Sequence, residues 1–116
     1  MKGKELKKKA IATELKLYDK EYEKEIVYNI KFDFNAFIEL EDVYGDISTA
    51  MEEIQTGKLK AVRALVYSAI KVEDPKITLK RVGELLDLNK MEDVMEVINK
   101  ALAYSMPEKS DDLVGE

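Results

Sequence analysis

The stretch KLKAVRALVYSAI, Lys58 to Ile70, constrains the fold more than any other part of the chain. From Ala64 to Ile70 the only polar side chain is Ser68. At roughly 100° per residue, Ala64, Leu65, Val66, Tyr67, Ala69 and Ile70 therefore point in nearly every direction around a helix. A surface helix keeps one polar face; this one needs an apolar shell on all sides. The shell comes either from the flanking segments, which makes the stretch a central core helix, or from another copy or a partner, which makes it a binding helix.

A length of 116 residues suits one ordinary domain, large enough to bury about two thirds of its unfolded surface without covalent staples. Hydrophobic residues make up 46% and charged residues 37%, a balance far from that of disordered chains. No apolar run approaches the roughly 20 residues that span a bilayer. The opening MKGKELKKKAIATEL has lysines but no apolar core or small-residue cleavage site behind them. The expected location is the cytoplasm, with no membrane partner.

Cysteine and histidine are both absent. That excludes disulfides, thiolate zinc sites, thiol chemistry and the Ser-His-Asp and Cys-His arrangements, and removes the commonest general base. With 24 acidic against 19 basic residues, the net charge of -5 opposes phosphate neutralisation, so nucleic acid is not an expected partner. The charge is uneven: residues 1 to 9 carry five lysines and one glutamate, and residues 107 to 116 carry four acids and one lysine. Such blocks read as solvated tails rather than as nucleic-acid or partner arms. Residues 1–10 are thus expected to be a basic disordered arm, 11–106 a single domain, and 107–116 an acidic flexible tail.

Along the domain, Ile11, Thr13, Leu15 and Leu17 alternate with Ala12, Glu14 and Lys16, and Ile26, Tyr28, Ile30 and Phe32 alternate with Val27, Asn29 and Lys31. A period of two predicts strands, and the polar break from Tyr18 to Glu21 makes them a β-hairpin over 11–32, without the Asn-Gly or Asp-Gly that favours a tight turn. A lone hairpin is marginal in water, so its apolar face lies on helices or joins a sheet from another subunit.

Helices over 33–106 follow. Asp33 caps the first, with Phe32 and Phe37 as a hydrophobic staple; Phe34, Phe37, Ile38, Leu40, Val43 and Tyr44 carry it to Gly45. Asp46 caps the second, whose stripe is Ile47, Ala50, Met51 and Ile54, and Gly57 ends it. The central helix comes next, then a loop over Val72 to Lys76 containing Pro75. Thr78 caps a short helix with Leu79, Val82, Leu85 and Leu86 at helical spacing and an Ile77 to Val82 staple. Asn89 and Glu92 resemble a capping box for the last helix, striped by Met91, Val94, Met95, Ile98, Ala101 and Leu102 and stopped by Pro107. The expected class is α+β: an N-terminal hairpin followed by about five short helices.

Chemistry is sparse. Neither glycine-rich phosphate motif is present, and Asp33 with Asn35 fails as a calcium loop because Phe37 occupies the next ligand position. No catalytic, metal or cofactor residues are assigned. The acids Glu39, Glu41, Asp42 and Glu52, Glu53 read as wet helix faces rather than an acid/base pair. Tyrosine is enriched at interfaces, and the candidate interaction surface is Tyr28, Ile30, Tyr44, Leu65, Val66, Tyr67 and Ile70.

The order of a charged hairpin, then KFDFNAFIELEDVYGDISTAMEEIQTGKLKAVRALVYSAI, a proline-containing loop and ITLKRVGELLD resembles the tail assembly chaperones of long-tailed bacteriophages and prophages. The matching pieces are Phe34-Asn35-Ala36 leading to Glu39-Leu40-Glu41, the Tyr44-Gly45-Asp46 break, Gly57-Lys58-Leu59, Arg63-Ala64-Leu65, and Thr78 through Val82, Gly83 and Glu84 to Leu86. They run from Ile30 to about Asp87, with Tyr67 where tryptophan is common in the family and no glycine in the hairpin turn. The resemblance implies a non-enzymatic protein that binds the tape measure protein and helps recruit tail tube protein, without cofactors. It implies action in the host cytoplasm and absence from the mature virion, and in many such phages a frameshifted longer form. The hairpin and the all-round apolar helix add an expectation of homo-oligomers. The same composition also fits a generic intracellular adaptor or a small phage connector protein.

Overall fold

The computed structural model describes residues 13–105. The expected basic arm and acidic tail lie outside them, as do Ile11 and Ala12 at the expected start of the first strand. Strands β1 (Glu14–Asp19) and β2 (Lys24–Asn29) are followed by α1 (Phe34–Tyr44), α2 (Ile47–Gln55), α3 (Leu59–Glu73), α4 (Leu79–Leu85) and α5 (Met91–Ser105), with a 3-10 turn at Leu88–Lys90 leading into α5. An antiparallel hairpin followed by helices is the α+β architecture anticipated from the alternation of periods.

The hairpin pairs Leu15 with Tyr28 and Leu17 with Ile26, so the apolar sets of both strands share one face. Leu15 and Leu17 are buried, while Glu14, Lys16 and Val27 face outward. Below the ladder the Thr13 hydroxyl and carbonyl meet the backbone of Ile30, holding the exit of the hairpin as it turns toward α1. The strand assignment ends at Asn29, and only the Ile30 contact with Thr13 continues the pairing, so β2 is shorter than its alternation suggests.

The turn closes without Asn-Gly. The Asp19 Oδ1 atom accepts from the amides of Glu21 and Tyr22 at 3.0 and 3.2 Å, and Glu23 supplies the positive φ of 48° needed to re-enter the ladder. Asp19 is only 2% exposed, and its Oδ2 atom accepts from Arg81 Nη2 of α4 at 2.5 Å. Glu23 thus takes the backbone conformation a glycine usually supplies, and the Asp19 carboxylate, held by a distant guanidinium, fixes the turn around it.

Helix starts follow side-chain chemistry. Asp33, Asp46 and Thr78 each accept from the amide three residues on, and the Phe32 and Phe37 rings pack at 5.9 Å between centroids. Gly45 ends α1 at φ 108° and Gly57 follows α2 at φ 82°, conformations that a side chain disfavours. Two expectations are corrected. Helix α3 extends to Glu73, two residues into the stretch read as loop, and breaks before Pro75. The Asn89 capping box does not form: Asp87 accepts from the Asn89 amide at 3.0 Å and starts the 3-10 turn instead.

Helix α3 is the axis of the core. It packs against α1, α2, α4 and β2, while α5 lies along β1. Every residue from Ala61 to Ile70 except Arg63 is buried. Ser68, the polar member of the run, satisfies itself by donating from Oγ to the Ala64 carbonyl at 2.8 Å. The apolar shell that this stretch demands is supplied by its own chain, each fully buried aliphatic side chain contributing about 1.5–3 kcal/mol.

Candidate interaction surface

The surface expected from the sequence is largely interior. Ile30, Leu65, Val66, Tyr67 and Ile70 belong to the buried core. They cannot present a face to a partner in this fold, because α1, α2, α4 and the hairpin already cover them. Tyr67 keeps its oxygen at the edge of the core, where it accepts from Lys71 Nζ at 3.1 Å and holds that ammonium above its ordinary pKa.

Tyr28 and Tyr44 are half-buried, and both hydroxyls are committed. Tyr28 donates to Asp74 Oδ2 at 3.3 Å; burial first, then the nearby carboxylate, raises its pKa. Tyr44 donates to Glu53, which keeps the phenol up and the carboxylate down, and Glu53 also faces Lys58 Nζ at 3.5 Å. These are ties between α1 and α2, and between β2 and the end of α3. Of the acidic clusters, Glu53 is taken up in this way, while Glu41, Asp42 and Glu52 are exposed. Among the described residues no group of three acids, histidines or cysteines could hold a metal, and no helix is long and apolar enough to cross a membrane.

The apolar surface left outside lies elsewhere. Phe34 is 80% exposed, Leu88 69% and Leu59 52%. Phe34 is the first residue of α1, one turn before Ile38 on the same outward stripe, whereas Ala36, Phe37 and Leu40 face inward. Leu59 and Leu88 both line a groove of about 240 Å³ formed by the start of α3, the end of α4 and the 3-10 turn. Val62, Leu86 and Met91 complete its apolar wall, and Lys60 and Arg63 are its charged residues.

Arg63 is the odd member of the core helix. Its Nε is buried without a hydrogen-bond partner, and no carboxylate pairs with it among the described residues. An unsatisfied buried donor costs on the order of 1–3 kcal/mol. The neighbouring wall at Gly83 has no side chain, and a Cβ there would lie 3.5 Å from Arg63 Cδ. A wider depression of about 520 Å³ between β1 and α5 is different in kind, because Glu14, Lys16, Glu25, Lys90, Asp93 and Lys100 line it with both signs of charge.

Local hydrophobicity does not mark this groove, because the most apolar residues of the chain are the ones its core takes up. The useful signals were weaker: Leu88 stands alone between Asp87 and Asn89, and Arg63 interrupts an otherwise apolar run. Comparison of the chain with family models, with curated proteins and with solved structures finds no match.

Proposed function

We propose that this chain is a non-enzymatic binding protein that shields an apolar helical segment of a client, in the manner of a phage tail assembly chaperone. The observation that carries the reading is the exposure of Phe34, Leu59 and Leu88 on a protein whose core is otherwise complete. Large apolar side chains around a groove are the surface to which an amphipathic helix is complementary. The order and spacing of the Phe34 to Leu86 motifs add the family likeness, and with it the tape measure protein as client and the tail tube protein as later partner.

Self-association belongs to the same proposal but has a changed basis. The central helix is wrapped, so any dimer or ring forms through the outer groove, the Phe34 and Ile38 stripe or the hairpin edges. Light scattering across a concentration series tests it, and a monomer at all concentrations removes this part of the reading.

The function is tested by co-expression with a tape measure protein, the client that the family likeness implies. Rescue of that protein's solubility, lost on Leu88→Asp, supports the chaperone role. An insoluble client despite abundant folded partner defeats it and favours an adaptor or connector.

A further inference from the structure

We infer that the groove between Leu59 and Leu88 is the client-docking site, and that it selects a helix of another polypeptide carrying carboxylates beside its apolar stripe. The inference rests on the binding reading above and adds the site and the sign of charge. Three observations converge on it. The walls are apolar and open, with Leu88 and Leu59 both more than half exposed. The volume of about 240 Å³ is below the roughly 300–1,000 Å³ of small-molecule sites, and fits one or two anchoring side chains of a peptide. The charged groups of the lining are Lys60 and Arg63, with no acid among them, in a chain that holds 24 acids against 19 bases.

Arg63 makes the chemistry specific. Its guanidinium has five donors in a fixed fork suited to a carboxylate. Here it is left without an ion pair while Arg81, one helix away, is engaged with Asp19 and Glu84. The fold therefore uses one arginine and leaves the other facing an apolar groove. A client helix that seats leucine-like side chains between Leu59 and Leu88 brings a glutamate or aspartate one turn away within reach of Arg63 and Lys60.

The sign of the effect separates this site from non-specific attraction. With a net charge of -5, the whole molecule favours cationic peptides at long range. The groove is expected to reverse that preference locally.

The test uses the full chain and two synthetic amphipathic helical peptides with identical leucine spacing, one flanked by glutamates and one by lysines. Fluorescence anisotropy is expected to show the glutamate peptide binding about tenfold tighter, the factor supplied by one charge-assisted hydrogen bond. Arg63→Met, which keeps the stem, is expected to abolish the preference while leaving weak binding of both peptides. Leu88→Asp, a change at an exposed position, is expected to abolish binding of the glutamate peptide. The preference in the unmodified chain should also shrink as salt is raised. Equal binding of the two peptides, tighter binding of the lysine peptide, no binding, or binding indifferent to Leu88→Asp each overturns the assignment. Binding that appears only after Leu113→Asp and Val114→Asp would show the chain's own acidic end in the groove and overturn it as well. So would a dimer that is dissolved by Leu88→Asp. If client solubility is rescued but no peptide preference is seen, this assignment falls and the chaperone reading stands. If the preference holds while rescue fails, the docking site stands without that function.

Discussion

Asp19 and Arg81 meet at 2.5 Å across 62 positions of sequence, and the carboxylate that closes the hairpin turn is thereby fastened to α4. The Arg81 hydrogen bond, helped by the amides of Tyr22 and Glu21, holds the Asp19 carboxyl below its ordinary pKa against the opposing effect of burial. A carboxyl lowered in the folded state stabilises above its unfolded pKa and loses that contribution as pH falls through the folded value. The stability difference between the unmodified chain and Asp19→Asn, read from urea unfolding, is expected to be full at pH 7 and to shrink below the ordinary carboxylate range. Arg81→Met is expected to destabilise more than Asp19→Asn at pH 7, because it leaves a buried charge without its partner.

The wrapped central helix makes opposite predictions for neighbouring residues. Leu65→Ala is expected to cost about 2–5 kcal/mol in chemical denaturation, as a buried cavity does. Ser68→Ala is expected to change stability by less than about 1 kcal/mol, since its hydroxyl bonds only to a carbonyl of its own helix. Ser68→Val is expected to cost about 1–3 kcal/mol by overpacking.

The junction between α1 and α2 depends on backbone freedom. Gly45 sits at φ 108° with open space where a Cβ would go, so Gly45→Ala is penalised by conformation alone. A loss of more than about 1 kcal/mol is expected in thermal unfolding. Asp33→Ala, which deletes the α1 cap, is expected to cost about 1 kcal/mol.

At the exposed apolar positions the expected pattern is reversed. Phe34→Ser and Leu88→Asp are expected to leave the unfolding free energy within about 0.5 kcal/mol of the unmodified chain, since neither side chain is packed in the core. Both are expected to reduce client solubilisation in co-expression. A large loss of stability in either variant would place that residue in the fold rather than in binding.

Local rules carried far in this chain. The hairpin faces, the Asp33, Asp46 and Thr78 caps and the Gly45 and Gly57 stops are each written in a few adjacent residues, and the structure has them. The fate of the apolar run from Ala64 to Ile70 was not, because one pattern fits both a wrapped helix and a docking helix until its neighbours are counted. The burial of Asp19 is hidden from the sequence for the same reason. A polar residue in a turn looks solvated, and only its meeting with Arg81 makes it interior. The groove depended on three segments converging, and nothing in the periodicity of any one of them announces the others.

The fastening of the turn to α4 has a consequence for how the protein is made. On a ribosome adding roughly 5–20 residues each second, the acid at position 19 emerges about 3–12 s before the base that completes it. The tie between turn and helix forms only once position 81 has left the ribosome, like a clasp whose two parts are sewn at opposite ends of the cloth.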